Sequence, residues 1–345
     1  MNQKAGSGSL RFKEAPFVLG SASVVGTKEG EGPLGELFDM VGADDRFGAD
    51  SWEKAESSLQ KEALTLALGK SKKNPEDIRY LFAGDLLGQT MATSFGLKNF
   101  EIPLFGLYGA CSTCGEALSL GAMCVAAGYA DNVATVTSSH FGSAEKQFRF
   151  PLSYANQRPV SATWTVTGSG AFILGKNPDL SKNEKSNIRI TSVTTGKIVD
   201  YGVKDSMNMG AAMAPGACEL IVRHFRDLNT TPKDYDLIVT GDLGEIGSEI
   251  LCKLVGDYGY DISGNHEDCG VRMFDNKNQN TGSGGSGCGC SATVLSAYYL
   301  PMLKRGNYKK ILFVPTGALL SPVSFNEGQS VPGIAHGVVF ERSEN

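Results

Sequence analysis

The chain has 345 residues, of which 41% are apolar and 20% are charged, and its formal net charge is −5. This is the composition of a globular protein, and it contains no basic stripe that would favour a nucleic-acid partner. No run approaches the roughly 18 apolar residues of a membrane span, and the start of the chain has no apolar core of the secretory type. We therefore expect a cytoplasmic fold in which the eight cysteines are thiols rather than disulfides.

In chain order, the first predicted element is a flexible leader over residues 1–15. A helical pattern follows from Trp52 to Leu68, in which Leu59, Ala63 and Ala67 recur at helical spacing. After it, NPEDIRYLFAGDLLG (residues 74–88) contains a proline-initiated turn, a short apolar strand and a Gly-Asp turn. The order indicates a helix followed by a buried strand.

The same plan returns later in the chain. TPKDYDLIVTGDLG (residues 231–244) matches the earlier segment at an offset of 157, which pairs Asp85 with Asp242, and it too follows a helical pattern, from Ala211 to Leu228. Residues 111–139 and 288–317 form a second pair, each with small residues, an apolar helix, a glycine and a strand, now at an offset of 178. The difference places about 21 extra residues in the stretch 261–289.

These repeats predict two similar halves, at residues 16–196 and 197–345. GSGAFILGK (168–176) and IRITSVTTG (188–196) are expected to pair and close the first half, and AHGVVFER (335–342) closes the second. The central helices that start near Cys111 and Cys290 are small or apolar on nearly every face, so both are expected to be buried. The predicted fold is an α/β, five-layer α-β-α-β-α sandwich, with the second helix kinked or ended early at Pro301.

The pattern resembles the thiolase fold family, which includes thiolases and ketoacyl synthases. YGACSTCGEAL (108–118) resembles the nucleophile segment of the synthases, TGSGAFILGK (167–176) their Gly-rich strand, and PGIAHGVVFER (332–342) their last Gly-rich strand. The resemblance covers essentially the whole chain and implies a thiolase-like fold. By analogy with that fold, a homodimer is expected.

A non-enzymatic branch is more similar still. LYGACSTCGEAL, NQRPVSATWTVTGSGA, TGDLGEIG and SGCGCSATVLSAYYLP resemble motifs of the stage V sporulation protein AD family of spore-forming bacteria. This resemblance implies binding of dipicolinic acid (pyridine-2,6-dicarboxylate), either alone or as its calcium chelate, during uptake into the developing spore. It also implies membrane-protein partners from the same sporulation operon and peripheral association with the spore inner membrane. We expect no cofactor.

Cys111 is the central candidate residue. At a helix start it meets backbone N–H groups, which lower a thiol pKa and equally hold a carboxylate. A condensing enzyme also needs His or Asn partners for its oxyanion. At those turns the sequence has Asp242 or Glu245, and then Cys288 and Cys290. A carboxylate cannot donate a hydrogen bond to an oxyanion and thiols donate weakly, so Cys111 is interpreted as the floor of a ligand pocket.

The predicted ligand-binding residues lie at the helix starts, at the two Gly-rich turns and on two histidine-bearing strands: Cys111, Ser112, His140, Asp242, Glu245, Cys288, Cys290 and His336. No catalytic residue is assigned, although Cys111 would be the nucleophile of an enzyme. His224 and His266 are interpreted as surface residues. Lys146, Arg149 and Arg158 either cover the mouth of the pocket or are solvated loop charges.

Other interpretations of the cysteines are weaker. Cys111 and Cys114 lack the context of a redox CxxC pair. Zinc held by Cys111, Cys114, Cys288 and Cys290 would need more regular spacing, so no metal site is predicted. Three functions remain as hypotheses. They are a dipicolinate-binding protein, an acyltransferase or ketoacyl-synthase-like enzyme acylated at Cys111, and a purely structural subunit.

Overall fold

The computed structural model of the chain describes residues 3–148, 152–155, 157–176 and 188–343. The strands are β1 Lys4–Ala5, β2 Ser9–Arg11, β3 Phe17–Val25, β4 Met40–Val41, β5 Tyr80–Asp85, β6 Leu104–Gly106, β7 Asn132–Ser139, β8 Trp164–Thr165, β9 Gly168–Gly175, β10 Ile188–Thr194, β11 Leu237–Thr240, β12 His266–Asp268, β13 Gly285–Ser286, β14 Lys310–Val314, β15 Thr316–Ala318, β16 Gly333–Ala335 and β17 Gly337–Arg342. The helices are α1 Thr27–Gly30, α2 Trp52–Ser71, α3 Met91–Leu97, α4 Thr113–Ala126, α5 Phe141–Phe148, α6 Met209–Leu228, α7 Gly244–Gly256, α8 Cys269–Met273, α9 Cys288–Val294, α10 Leu300–Arg305 and α11 Pro322–Asn326.

The principal strands form two groups with the same order. The first group runs β6-β5-β7-β9-β3 and the second runs β12-β11-β14-β17-β10. The directions also match, because β5 is parallel to β6 and β7 while β9 is antiparallel to β7 and β3, and the second group repeats each relation. The first group is the first sheet and the second group is the second sheet. One pairing, Arg189 with Phe17, joins the edges of the two sheets. The predicted duplication is therefore confirmed in the topology.

Two of the predicted boundaries are wrong. Strand β10 does not pair with β9; it pairs along its length with β17, so it belongs to the second half, and the predicted division at residue 196 falls too late. The predicted leader is also partly folded, because β2 pairs with Ser192–Thr194. Asp227 accepts hydrogen bonds from the backbone N–H groups of Ser7 and Gly8. These contacts anchor the start of the described chain to the second half.

Helix α2 covers the outer face of the first sheet. Ser51 caps it by accepting the N–H of Lys54 at 3.3 Å, and Lys72 ends it in the left-handed conformation with φ 56°. Leu59, Ala63 and Ala67 are buried, as their spacing predicts. Helices α6 and α7 enclose a separate apolar core on the outer face of the second sheet.

Helices α4 and α9 lie between the sheets, in the largest apolar core. The approach of α9 to the first sheet is close, since a Cβ on Gly289 would lie 2.3 Å from the carbonyl oxygen of Gly168. After α9 the chain continues through a π-helical turn, Leu295–Tyr299, into α10. Pro301 is the second residue of α10, so the helix is locally irregular just before this proline but ends only at Arg305. Outer helices, two sheets and central helices make the predicted five layers.

Among the described residues, no helix is both long and apolar enough to span a lipid bilayer.

Candidate functional site

Cys111 lies in the turn that leads into α4. The residue before it, Ala110, has φ 52°, a left-handed conformation that is uncommon for a side chain other than glycine. The Cys111 side chain is buried, and its Sγ lies 3.9 Å from the Oγ of Ser286, a residue of the second half. The turn therefore directs the thiol toward the interface between the halves.

Asp242 faces this thiol from the end of β11. Its carboxylate accepts hydrogen bonds from the Oγ of Ser286 at 3.1 Å, the N–H of Gly287 at 2.8 Å and the Oγ1 of Thr316 at 2.7 Å. The Oγ of Ser286 also lies 3.9 Å from the Cys111 Sγ, so Ser286 links the thiol to the carboxylate. The carboxylate is almost completely buried, and each donor satisfies part of its requirement for hydrogen bonds.

This arrangement makes Cys111 a weak nucleophile. Burial raises the pKa of the Cys111 thiol well above its ordinary value, and the negative charge of Asp242 raises that pKa further. Burial also raises the pKa of Asp242 to about 6, although the hydrogen bonds from Gly287 and Thr316 oppose that shift. The thiol is consequently protonated at neutral pH, and the predicted lowering of its pKa by the helix start is wrong.

Ser112 does not present a hydroxyl to a ligand. Its Oγ donates to the carbonyl of Gly109 at 2.6 Å, and its N–H donates to the same oxygen at 3.0 Å. The N–H of Thr113 is bonded to the carbonyl of Ala110 at 3.2 Å. These N–H and hydroxyl groups are hydrogen-bonded within the turn. They are therefore not free to bind a carboxylate, although the sequence predicted that they would be.

The two cysteines of the second Gly-rich turn are both buried at the start of α9. The Sγ of Cys288 donates to the carbonyl of Ser138 at 2.9 Å, and the Sγ of Cys290 donates to that of Gly241 at 3.8 Å. Burial raises the pKa of both thiols. At Cys288, a negative charge on Cys111 would raise the thiol pKa further. Both residues thus lie beside the Cys111 site as protonated thiols.

Glu245 is separated from the site. Its side chain is exposed, and its Oε1 accepts a hydrogen bond from the Nδ2 of Asn276 at 2.9 Å. Of the two acids expected at this turn, Asp242 lies beside Cys111 and Glu245 does not.

His140 is a structural residue. Its Nε2 lies 2.7 Å from the carbonyl oxygen of Asp45, and its Nδ1 accepts the N–H of Gly142 at 3.0 Å. Both ring nitrogens are therefore occupied, and burial lowers the pKa of the imidazole. The expected ligand contact is not available.

His336 packs against the first turn of the central helix. A Cβ on Gly115 would lie 3.1 Å from the Cβ of His336, and the histidine Nδ1 accepts the N–H of Gly196 at 3.3 Å. Burial, followed by the charge of Arg223, lowers its pKa to about 4, so the ring is neutral. His336 lies near the Cys111 turn but is not bonded to the Cys111 thiol.

Of the two histidines interpreted as surface residues, His224 is buried and His266 is half-buried. His224 bonds to the Oγ1 of Thr194 at 2.6 Å and to the hydroxyl of Tyr235 at 2.7 Å. His266 lies in β12, with its Nε2 2.9 Å from the Oγ1 of Thr240. All four histidines lie in the described part of the chain, and none of them hydrogen-bonds to Cys111 or Asp242.

Two further buried carboxyl groups, those of Asp85 and Glu56, lie near the Cys111 site, and no sequence motif marks them. Asp85 accepts the N–H and the Oγ1–H of Thr93, at 3.0 Å and 2.8 Å, and Glu56 accepts the hydroxyl of Ser138 at 2.9 Å. Burial raises the pKa of both carboxyl groups, and the charge of Asp85 adds to the shift at Glu56. The internal repeat, which pairs Asp85 with Asp242, was the signal that could have revealed Asp85.

Tyr108 connects this region to solvent. Its side chain is 41% exposed, yet Cys111, Cys288 and Asp85 all raise the pKa of its phenol after the effect of burial. It therefore borders both the surface and the buried polar groups. Nothing in the spacing of the sequence indicated this position.

The basic candidates are engaged elsewhere. Lys146 forms an ion pair with Glu53, and Arg158 forms one with Glu145 at 2.8 Å while lying over the ring of Trp164. Arg149 lies outside the described residues. No group of three or more His, Cys, Asp or Glu side chains among the described residues is arranged to hold a metal ion.

Solved structures define the class of fold. The tetronic acid condensing enzyme AbyA1 matches with a TM-score of 0.57 at 16% identity, covering 94% of this chain and 99% of that one. A single-site variant of Xanthomonas campestris OleA gives 0.59 at 13% identity over 96% and 99%, and 3-oxoacyl-[acyl-carrier-protein] synthase III from Aquifex aeolicus gives 0.54 at 11% over 94% and 99%. The chain has the thiolase-like fold of condensing enzymes, as predicted; identities this low establish the fold alone.

The sequence comparisons are more specific. The model of the stage V sporulation protein AD family matches residues 6–341. A curated relative, stage V sporulation protein AD of Bacillus subtilis (strain 168), is 42% identical over 332 residues, covering 96% of both chains. The chain belongs to the stage V sporulation protein AD family, and its role is in sporulation.

Proposed function

We propose that the chain binds dipicolinic acid beside Cys111 and Asp242 and supports uptake of this compound into the developing spore, without catalysing a reaction. Membership of a sporulation family supplies the biological process. The observation that carries the non-catalytic part is the burial of the Cys111 thiol beside the buried Asp242 carboxylate, to which Ser286 links it, since this environment keeps the sulfur protonated where a condensing enzyme needs a thiolate.

The charge of the site restricts the form of the ligand. Asp242 is buried, and the two basic candidates that can be described, Lys146 and Arg158, are paired with glutamates. A free dicarboxylate dianion would meet a like charge there in a low-dielectric environment. We therefore propose that dipicolinate enters either as the calcium chelate or after protonation, so that its own charge is compensated.

Isothermal titration calorimetry tests the ligand. The chain is titrated with dipicolinate, with and without equimolar calcium. Cys111→Trp is expected to abolish saturable binding because the indole fills the space over the turn. Cys124→Trp, on the half-exposed side of the same helix, is the matched control and is expected to bind normally. Far-UV circular dichroism checks that both variants fold. An absence of saturable heat under both calcium conditions would sink the ligand assignment.

A condensing or acyl-transfer activity is the second candidate. The observation in its favour is the left-handed Ala110 before Cys111, a strained turn of the kind that presents nucleophiles. Incubation with acyl-CoA or acyl-carrier thioesters, followed by intact mass measurement, separates the two functions. A stoichiometric adduct that requires Cys111 and turns over would replace the binding proposal.

The cellular role is proposed to involve membrane proteins of the same operon at the spore inner membrane. In sporulating cells, Cys111→Trp is expected to lower spore dipicolinate content while leaving the chain in the membrane fraction. If the substitution left dipicolinate content intact, a purely structural role would be favoured instead.

A further inference from the structure

A second polar cavity lies in the second half of the chain. It has a volume of about 220 Å³ and shares no residue with the Cys111 site. Strand β2, strands β10, β14 and β17, and the end of α6 enclose it. The side chains that matter for its chemistry are Arg11, Ser192, Thr230, Tyr235, Lys310 and Glu341.

Two cations line this cavity against one carboxylate. The ammonium of Lys310 lies 5.1 Å from the ring centroid of Tyr235. Lys310 and Glu341 are opposite each other across β14 and β17, yet within the described residues they form no ion pair. Arg11 uses one of its N–H groups on the carbonyl of Leu228, at 3.1 Å, and a guanidinium has five. The cavity wall therefore carries a net positive charge and several donors without an acceptor in the described chain.

A buried hydroxyl network supports the same wall. The Tyr235 side chain is 4% exposed, and its hydroxyl lies 3.3 Å from the Oγ1 of Thr230. Behind it, the hydroxyl bonds to the Nε2 of His224, whose pKa is lowered to about 3 by burial and then by the charge of Lys310. A neutral imidazole fixed by Thr194 holds the phenol in place at the cavity.

We propose that this cavity binds an oxyanion of the phosphate class. Arg11 and Lys310 are charged donors, and the oxygens of a phosphate can accept from both. A carboxylate has no proton to donate at neutral pH, whereas inorganic phosphate keeps at least one. Glu341, the one acidic side chain of the wall, is an acceptor for a protonated phosphate oxygen.

The cavity is large enough for the ligand. A volume of about 220 Å³ is ample for a phosphate, since about 10–15 Å³ of the same kind of volume already holds a water molecule. Because Arg11 belongs to β2 and Lys310 to β14, a bound phosphate also links the start of the chain to the second sheet.

Titration calorimetry with inorganic phosphate, against chloride at equal ionic strength, tests the free anion. Co-sedimentation with phosphatidylcholine vesicles, with and without phosphatidylglycerol, tests a lipid phosphate. In the experiment that detects binding, whether to free phosphate or to vesicles, Lys310→Met is expected to weaken that binding at least tenfold. Arg11→Met is expected to weaken it severalfold. Lys304→Met removes an equal charge from an exposed position outside the cavity and is expected to bind as wild type.

Hydrogen exchange gives an independent readout. Residues 4–11 are expected to exchange more slowly when phosphate is bound, and this protection is expected to disappear in Lys310→Met. The proposal is overturned if neither arm shows Lys310-dependent binding, if Lys304→Met weakens binding equally, or if acetate binds more tightly than phosphate. Failure of dipicolinate to bind at Cys111 would leave these results unaffected.

Discussion

The Oγ of Ser286 donates a hydrogen bond to the carboxylate of Asp242 at 3.1 Å and lies 3.9 Å from the Sγ of Cys111, so a residue of the second half links that acid to a thiol of the first half. The thiol and the acid are both buried, and the negative charge of Asp242 further disfavours ionisation of the Cys111 thiol. The turn at Cys111 has the backbone shape that presents a nucleophile, but its surroundings disfavour the thiolate that a nucleophile requires.

The rate of alkylation measures the reactivity of the Cys111 thiol directly. Iodoacetamide at pH 8 is expected to modify Cys111 at least tenfold more slowly than the half-exposed Cys124, because thiolate is the reacting form and burial raises the pKa of Cys111 well above normal. Peptide mass spectrometry gives both rates in one sample. Faster modification at Cys111 than at Cys124 would mean an activated thiol and would favour the enzyme.

Asp242→Asn is expected to change how stability depends on pH. In wild type, a carboxyl with a folded pKa of about 6 and an ordinary pKa of 3.8 stabilises the fold fully below pH 3.8 and loses that contribution as pH rises through 6. We therefore compare the unfolding free energy of the variant with that of wild type at pH 4 and at pH 7. This difference should shift in favour of the variant by up to about 3 kcal/mol as the pH rises from 4 to 7. Urea denaturation at both pH values measures the difference.

Asp234→Asn is the control for that experiment. The pKa of Asp234 is lowered by hydrogen bonds from the backbone and side chain of Thr231, so its stabilisation is present at neutral pH and lost on acidification. Its substitution should therefore give the opposite trend. Parallel trends in the two variants would contradict the assignment at Asp242.

Glu29→Gln is expected to stabilise the protein at alkaline pH. Burial raises the pKa of Glu29 to about 8, and its Oε1 accepts the N–H of Thr167 while its Oε2 has no hydrogen-bond partner among the described residues. The carboxyl stabilises the fold below its ordinary pKa and loses that contribution as pH rises through 8. The increase in melting temperature on substitution should be larger at pH 9 than at pH 5; an equal change at both would show that Glu29 titrates normally.

Two glycine substitutions separate packing from helix propensity. Gly289→Ala would place its Cβ 2.3 Å from the carbonyl oxygen of Gly168, so we expect a loss of about 1–3 kcal/mol in unfolding free energy. Gly69→Ala, in α2, meets nothing within 4 Å and is expected to gain about 0.5–1 kcal/mol. Denaturant titration compares them; a stable Gly289→Ala variant would show that α9 can move away from the sheet.

The proposed homodimer predicts a role for the exposed edge of the first sheet. Strand β6 has exposed Leu104 and Phe105, and its outer edge pairs with nothing in the described chain. Phe105→Glu should give a monomer by light scattering after size exclusion, whereas Tyr129→Glu, at another exposed aromatic, should not. A wild-type monomer at micromolar concentration would remove the homodimer proposal.

The duplicated fold could be predicted because both copies keep their turn chemistry. Pro75 and Pro232 each begin a 3-10 turn closed by a capping box, and each leads to the equivalent strand. The partner of a strand is harder to infer. IRITSVTTG has the pattern of a strand but nothing in it distinguishes β9 from β17 as its neighbour, since that choice depends on contacts made across more than a hundred residues.

The candidate site was predicted less completely. Asp242 and Glu245 are three residues apart around the start of α7, and the sequence does not distinguish them, although the first is buried against Ser286 and Thr316 and the second is exposed. His224 stands beside Arg223 in the sequence, but its own bonds are to Thr194 and Tyr235, which the fold alone brings near. Ser286 and Thr316 complete the carboxylate shell without any distinguishing motif.

The meeting of Cys111 from one half with Asp242, Ser286 and Thr316 from the other has a consequence for how the protein can be divided. Neither half contains all four residues, so the arrangement exists only while the two halves are docked. The chain is in effect a heterodimer fused into one polypeptide. Separately expressed fragments should recover ligand binding only when mixed.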